Sequence, residues 1–133
     1  MIVYVDTSAA MKLLVDEPES ATLAEYLQHC TADGDTLAAS LLLHTELHCA
    51  ANRHASLIDQ GAVSAVLSVF SLVDIDRTDL TTAPLLSGRL RSADAIHLAT
   101  AVRLAVDTMV VYDAELQAAG RHAGIHIISP GAQ

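Results

Sequence analysis

Aromatic side chains are scarce in this chain: no tryptophan, one phenylalanine and three tyrosines among 133 residues. Hydrophobic residues still make up 52%, so the core has to be aliphatic, built from Leu, Val, Ile and Ala. Positive charge is also short. Seven Lys and Arg stand against sixteen Asp and Glu, for a net charge of −9, and Lys12 is the single lysine. That balance excludes broad, non-specific nucleic-acid binding, which rests on phosphate neutralisation; a local arginine strip beside an acidic site remains compatible with it. No apolar run approaches the roughly 20 residues of a membrane span. Asp6 interrupts the only N-terminal apolar run and no basic segment precedes it, so no signal peptide is expected. Cys30 and Cys49 lack C-x-x-C spacing and read as two buried thiols of a reducing, cytoplasmic compartment. No Gly/Ser/Pro-rich linker divides the chain, so residues 1–133 are expected to form a single domain.

What the chain does have is an alternation of short apolar runs and helical patterns. Ile2-Val3-Tyr4-Val5 is too short for a helix and reads as a strand buried on both faces. A helix is predicted from Thr7 to Val15, and a second from the Asp16–Ser20 break to Cys30. Asp33-Gly34-Asp35 marks a turn, Thr36–Ala39 a short strand, and Ser40 the cap of a helix over Leu41–His54. Ser56–Phe70 reads as a helix that Gly61 weakens without ending. Leu72–Ile75 is a strand, and Thr78 or Asp79 caps a short helix limited by Pro84. After a loop at Gly88–Arg91, Ser92 caps a helix running to Val106. Thr108–Tyr112 is a strand, Asp113 opens a helix to His122 closed by Gly124, and Ile125–Ile128 is the last strand. Strand–helix alternation implies a parallel sheet of about five strands with helices on both faces, a three-layer α/β/α arrangement.

Three aspartates occupy comparable positions. Asp6 ends the first strand, Asp113 ends the fourth, and Asp94 lies in the first turn of the helix after Ser92. Helix capping explains each alone. In a parallel sheet, however, strand ends and helix starts share one edge, so Asp6 and Asp113 lie on one rim with Asp94 facing them. Glu46 is inside a helix, where capping does not apply. Its neighbours at i−4, i−3, i+3 and i+4 are Leu42, Leu43, Cys49 and Ala50, an apolar face on which an acid needs a partner or a cation. Crowded carboxylates call for a counter-cation, and oxygen-only ligands select Mg²⁺ or Mn²⁺ over zinc.

His44 and His48, spaced i, i+4, offer a competing zinc pair. Glu46 is two residues from each and so on the other side of the helix; its apolar flanks favour it, not the histidines, as the inward residue. His97, one turn beyond Asp94, reads as a packed helical histidine that could support the site. No Gly-rich phosphate loop, G-x-S-x-G elbow or Cys/His nucleophile arrangement is present. A phosphoaspartate chemistry at Asp6 expects a second aspartate two residues on, where Ser8 stands.

Val3-Tyr4-Val5-Asp6-Thr7-Ser8-Ala9, Glu46 in a mid-chain helix, Arg91-Ser92-Ala93-Asp94-Ala95-Ile96-His97-Leu98-Ala99 and Val110-Val111-Tyr112-Asp113 occur in the order and spacing of the PIN-domain family. The chain resembles, more narrowly, the VapC-type ribonuclease toxins of toxin–antitoxin systems. The resemblance implies an acidic quartet of Asp6, Glu46, Asp94 and Asp113 that binds Mg²⁺ or Mn²⁺ and cleaves single-stranded RNA. It implies support of the first aspartate by Ser8, with Thr7 the weaker candidate, and a site arginine at Arg91. It further implies a cognate VapB-type antitoxin and a homodimer. Arg89 or Arg91 would hold a substrate phosphate. Val111 departs from the pattern, since threonine or serine is frequent there; a PIN-fold binding module impaired in catalysis is the alternative that this departure would favour.

Overall fold

The computed structural model describes residues 1–132. Five strands form one parallel sheet: β1 (Ile2–Val5), β2 (Thr36–Ser40), β3 (Ser71–Val73), β4 (Thr108–Val110) and β5 (His126–Ile128), in the order β3-β2-β1-β4-β5. Residue alternation along the strands sorts the core into two layers. Val3, Val5, Leu37, Ala39 and Val110 join the first apolar cluster, while Tyr4, Met109, Val111 and Ile127 join the second. Helices α1 (Thr7–Met11), α2 (Ser20–Ala32), α3 (Leu42–Arg53) and α4 (Gln60–Leu67) supply the first layer through Leu23, Leu43, Leu47 and Val63. The second is closed by α6 (Ser92–Arg103) and α7 (Ala114–His122) through Leu98 and Leu116; α5 (Arg77–Thr82) and a 3₁₀ turn at Ala83–Leu85 pack on α6. This is the three-layer α/β/α arrangement expected from the sequence. Among the described residues no helix is long and apolar enough to cross a membrane.

The strand order has a direct consequence for the site. The chain leaves β1 toward β2 on one side, and later returns to pair β4 on the other. The carboxyl ends of β1 and β4 therefore flank the point where the winding direction reverses, the place where open parallel sheets leave a crevice.

Several boundaries differ from expectation for local reasons. α1 stops at Met11, and Lys12, Leu13 and Leu14 then bond back three residues, to Ala9, Ala10 and Met11, as tighter turns. α4 begins only at Gln60, because Asp59 caps it by accepting from the Ala62 N–H at 3.1 Å. Gly61 leaves room for that carboxylate: a Cβ there would lie 2.8 Å from Asp59 Oδ2. Ser92 is the first residue of α6, not its cap; Arg91 holds the cap position in extended conformation. Cys30 is buried as expected, but Cys49 is exposed.

Asp79 was expected at most to cap α5. The cap is Asp76, and Asp79 closes a capping box by accepting from the Asp76 N–H at 3.0 Å. Asp79 is 1% exposed and takes a two-point contact from Arg103, Nε to Oδ1 at 2.7 Å and Nη2 to Oδ2 at 3.0 Å, plus the Thr100 hydroxyl at 3.1 Å. Burial pushes its carboxyl up, but the bonds from Arg103, Asp76 and Thr100 outweigh it and hold the group below the usual range. Asp79→Ala removes the acceptor shared by donors from three residues and is expected to cost about 3 kcal/mol in urea unfolding at pH 7. Because the folded state lowers the pKa of this carboxyl, the contribution is present above the ordinary carboxylate range and is lost as pH falls below it. A variant within 1 kcal/mol of wild type, on the scale of a surface pair, would show the cluster to be marginal.

Candidate metal centre at the carboxyl edge of the sheet

Asp6 follows β1 directly, and its N–H extends the β1–β4 pairing by donating to Val110 O at 3.2 Å. The residue is extended (φ −79°, ψ 163°) and caps α1. Oδ2 accepts from the Ser8 N–H at 3.1 Å and from Ser8 Oγ at 2.7 Å; Ser8 Oγ in turn accepts from the Tyr112 N–H at 3.1 Å, which ties β1 to the end of β4. Oδ1 has no partner. Asp6 is 1% exposed, and among the described residues Oδ1 is the one buried side-chain polar atom left unbonded. A buried carboxylate oxygen with nothing to accept from is costly. Asp113 repeats the pattern at the start of α7: Oδ2 accepts from the Leu116 N–H at 2.9 Å. Capping thus occupies one oxygen of each aspartate and leaves the other, so a capping role and a ligand role do not compete.

Asp94, half-buried in the first turn of α6, senses the others. Its carboxyl is pushed up to about 6, first by burial and then by the charges of Asp6 and Asp113, with a smaller push from Glu46. Four acids from four elements therefore share one region of negative potential. Glu46, half-buried in α3, is held through a single oxygen: Oε1 accepts from Thr7 Oγ1 at 2.7 Å and lies 2.6 Å from His97 Nε2. Burial raises the Glu46 carboxyl, but the His97 contact and the Thr7 hydroxyl outweigh that and lower it. As they stand, no three His, Cys, Asp or Glu side chains among the described residues converge closely enough to hold a cation. Like charges without a counter-charge have no reason to close on one point. Asp6, Glu46, Asp94 and Asp113 are the groups that could hold one.

Ser8 thus contacts Asp6, whereas Thr7 contacts Glu46. Arg91 caps α6, beside Asp94 in the sequence, and is exposed. Arg89 is exposed and lines a depression with Glu115 and His122. Neither arginine forms a salt bridge with a described residue. His44 and His48 lie on the outer side of α3 with ring centroids 4.7 Å apart, and His48 Nδ1 is engaged by Gln60 Oε1 at 2.5 Å; no third ligand joins them among the described residues. Val111 is buried in the apolar cluster with Tyr4 and Leu116, and its carbonyl accepts from Ser129 Oγ and Gln117 Nε2. Beside Glu46, an open depression of about 420 Å³ runs past Thr7, Met11 and Cys49 to Arg53 and His54.

His97 and Tyr4 join the site beyond what the sequence predicts, through the Tyr4–His97–Glu46 contacts. Both signals were periodic. Tyr4 is two residues before Asp6 on an extended segment, and His97 is three residues after Asp94 on a helix, so each shares a face with an acid.

The PIN domain family pattern matches residues 3–121, and the chain belongs to the PIN-domain family. Within that family it is similar over nearly its whole length to the VapC proteins. It is 36% identical to Ribonuclease VapC46 of Mycobacterium tuberculosis, over 96% of this chain and 97% of that protein. It is 31% identical to Ribonuclease VapC47 of the same organism, over 98% of each. Among solved structures, that of VapBC2 from Rickettsia felis bound to a DNA fragment from their promoter superposes with a TM-score of 0.78 at 14% identity, covering 98% of this chain and 99% of that one, a likeness of fold.

Proposed function

We propose that this chain is a divalent-metal-dependent endoribonuclease, the toxin of a VapBC-type toxin–antitoxin pair. The observation that carries the reading is the unbonded, buried Oδ1 of Asp6 amid Glu46, Asp94 and Asp113. Support comes from relatives named as ribonucleases at 31–36% identity. The donor set is carboxylate only, which suits Mg²⁺ with Mn²⁺ as a substitute, and all four acids would serve as its ligands.

When bound, such a cation eases deprotonation of water and screens the charge on a scissile phosphate. The chain's own residues do the rest. Ser8 fixes Asp6 through Oδ2 and leaves Oδ1 to the cation. Thr7 steadies Glu46. Arg91, exposed beside Asp94, neutralises a phosphate of the substrate strand, and Arg89 extends that strip. The Ser8 and Thr7 hydroxyls are taken up by Asp6 and Glu46, which supports direct hydrolysis by water over a covalent enzyme intermediate. At a net charge of −9, RNA is held locally, at these arginines, not by the surface as a whole. A VapB-type antitoxin would restrain the activity, and the working form would be a homodimer in the cytoplasm. The impaired-module alternative rests on Val111, whose side chain is buried in the apolar cluster with Tyr4 and Leu116; equal cleavage by wild type and Asp6→Asn would favour it.

The purified chain should cleave RNA in Mg²⁺ and stop on chelation. Asp6→Asn removes the charge of the unpaired oxygen and should lower cleavage by at least ~100-fold, since even groups that only support a metal ligand cost 10–100-fold. Equal cleavage by wild type and Asp6→Asn would sink the assignment.

A further inference from the structure

We infer that His97 is the positioning residue for Glu46, and that its hydrogen-bonding direction is set by a backbone N–H of β2 acting through Tyr4. The inference rests on the reading of the four acids as a cation site and specifies how one of them is presented.

The chain of contacts can be followed proton by proton. The Ser40 N–H, at the end of β2, donates to Tyr4 Oη at 3.0 Å. Tyr4 Oη lies 2.6 Å from His97 Nδ1. A phenol has one proton to give; with Ser40 donating to it, that proton has Nδ1 as its acceptor. A phenol keeps its proton at neutral pH, so Tyr4 is available as a donor. A neutral His97 ring whose Nδ1 accepts must carry its own proton on Nε2. Nε2 is the atom 2.6 Å from Glu46 Oε1 and 2.9 Å from Thr7 Oγ1. A doubly protonated ring donates from Nε2 as well, with Tyr4 then accepting twice. In either state Glu46 meets an N–H and never a lone pair.

The ring has no freedom to do otherwise. His97 is 0% exposed, and its ring meets that of Tyr4 edge-on at 5.8 Å and 69°. Thr7 Oγ1 gives its proton to the same Oε1. Both donors converge on one oxygen, so Oε2 is the oxygen left for a cation. Residues of β1, β2, α1 and α6 thereby fix the carboxylate of α3. The logic is that of a supporting partner that orients a metal ligand through its second atom.

The test uses the full chain and two readouts. In Mn²⁺ titration calorimetry, His97→Asn, whose amide nitrogen falls near the Nδ1 position, should weaken binding by ~10-fold or more. His97→Gln, whose nitrogen can stand where Nε2 stands, should recover most of that loss. In a Glu46→Gln background, His97→Asn should add nothing, because the group it orients is no longer a charged ligand. Wild-type affinity in His97→Asn, or additive losses in the double variant, would overturn the positioning role. Should Glu46→Gln itself bind Mn²⁺ like wild type, the cation-site reading of Glu46 fails and the inference falls with it. The second readout needs neither metal nor activity. ¹⁵N NMR of the metal-free wild type, at a pH where the ring is neutral, should show the proton on Nε2, and Tyr4→Phe should release a mixture of tautomers. A proton on Nδ1 in the wild type contradicts the chain outright, even if the His97 variants fail to fold.

Discussion

Asp94→Asn should stabilise the metal-free protein and abolish its RNA cleavage. The two effects have one cause. Burial and the charges of Asp6 and Asp113 raise the Asp94 carboxyl from 3.8 to about 6, so at neutral pH the folded state holds a carboxylate where it would prefer a neutral group. Taken in full, that shift amounts to ~3 kcal/mol. The side chain is only half-buried, and solvent screening leaves about 1 kcal/mol, or roughly 4 °C in a chain of this length. The sign follows from proton linkage. Between about pH 4 and pH 6 the folded state binds more protons than the unfolded one, so stability falls as pH rises through that window and the penalty is complete above it. The gain from Asp94→Asn should therefore be present at pH 7.5 and vanish below pH 4. RNA cleavage should drop at least ~100-fold, because a charged oxygen ligand is lost. Thermal scans at the two pH values, run beside a cleavage assay, check both halves. A destabilised Asp94→Asn protein at pH 7.5, or an active one, contradicts the account.

The second large effect is stabilisation by a divalent cation. A cation that binds only the folded chain at a hundred times its dissociation constant contributes about 2.7 kcal/mol. It would relieve the repulsion around Asp94 and give Asp6 Oδ1 a partner. Protons compete with it at Asp94, whose carboxyl titrates at about 6. Apparent affinity should therefore fall roughly tenfold per pH unit below that point. Scans with Mn²⁺ at pH 7.5 and pH 5.0 should show a large upward shift in the first and a small one in the second. Asp6→Asn should suppress the shift at both. An equal shift in Asp6→Asn would mean that the cation binds elsewhere.

How much of this was legible in the residues varies with the range of the interaction involved. β1, the placement of Asp6 at its end, and the repeat of that arrangement at β4 and Asp113 follow from short apolar runs bounded by helix-capping residues, which are local. The orientation of Glu46 followed from its apolar helix neighbours, again local. The tertiary partners did not. Asp79 looks like a helix-start acid until Arg103, twenty-four residues on, covers it. His97 looks like packing until Tyr4 and Glu46 arrive from β1 and α3. Boundaries failed where one side chain overrode a pattern: the Asp59 carboxylate starts α4 late, and Arg91 takes the cap position that Ser92 would suit. The lack of C-x-x-C spacing points to two buried thiols, but Cys49 is exposed.

In the proposed site, Asp6 keeps Oδ1 free for a cation. Anomalous diffraction from crystals soaked in Mn²⁺ tests it most directly. The account predicts a manganese peak bonded to Asp6 Oδ1, with Asp94 and Asp113 beside it. Manganese bound at the His44–His48 face with none at Asp6, or none at Asp6 at saturating Mn²⁺ and neutral pH, would contradict it.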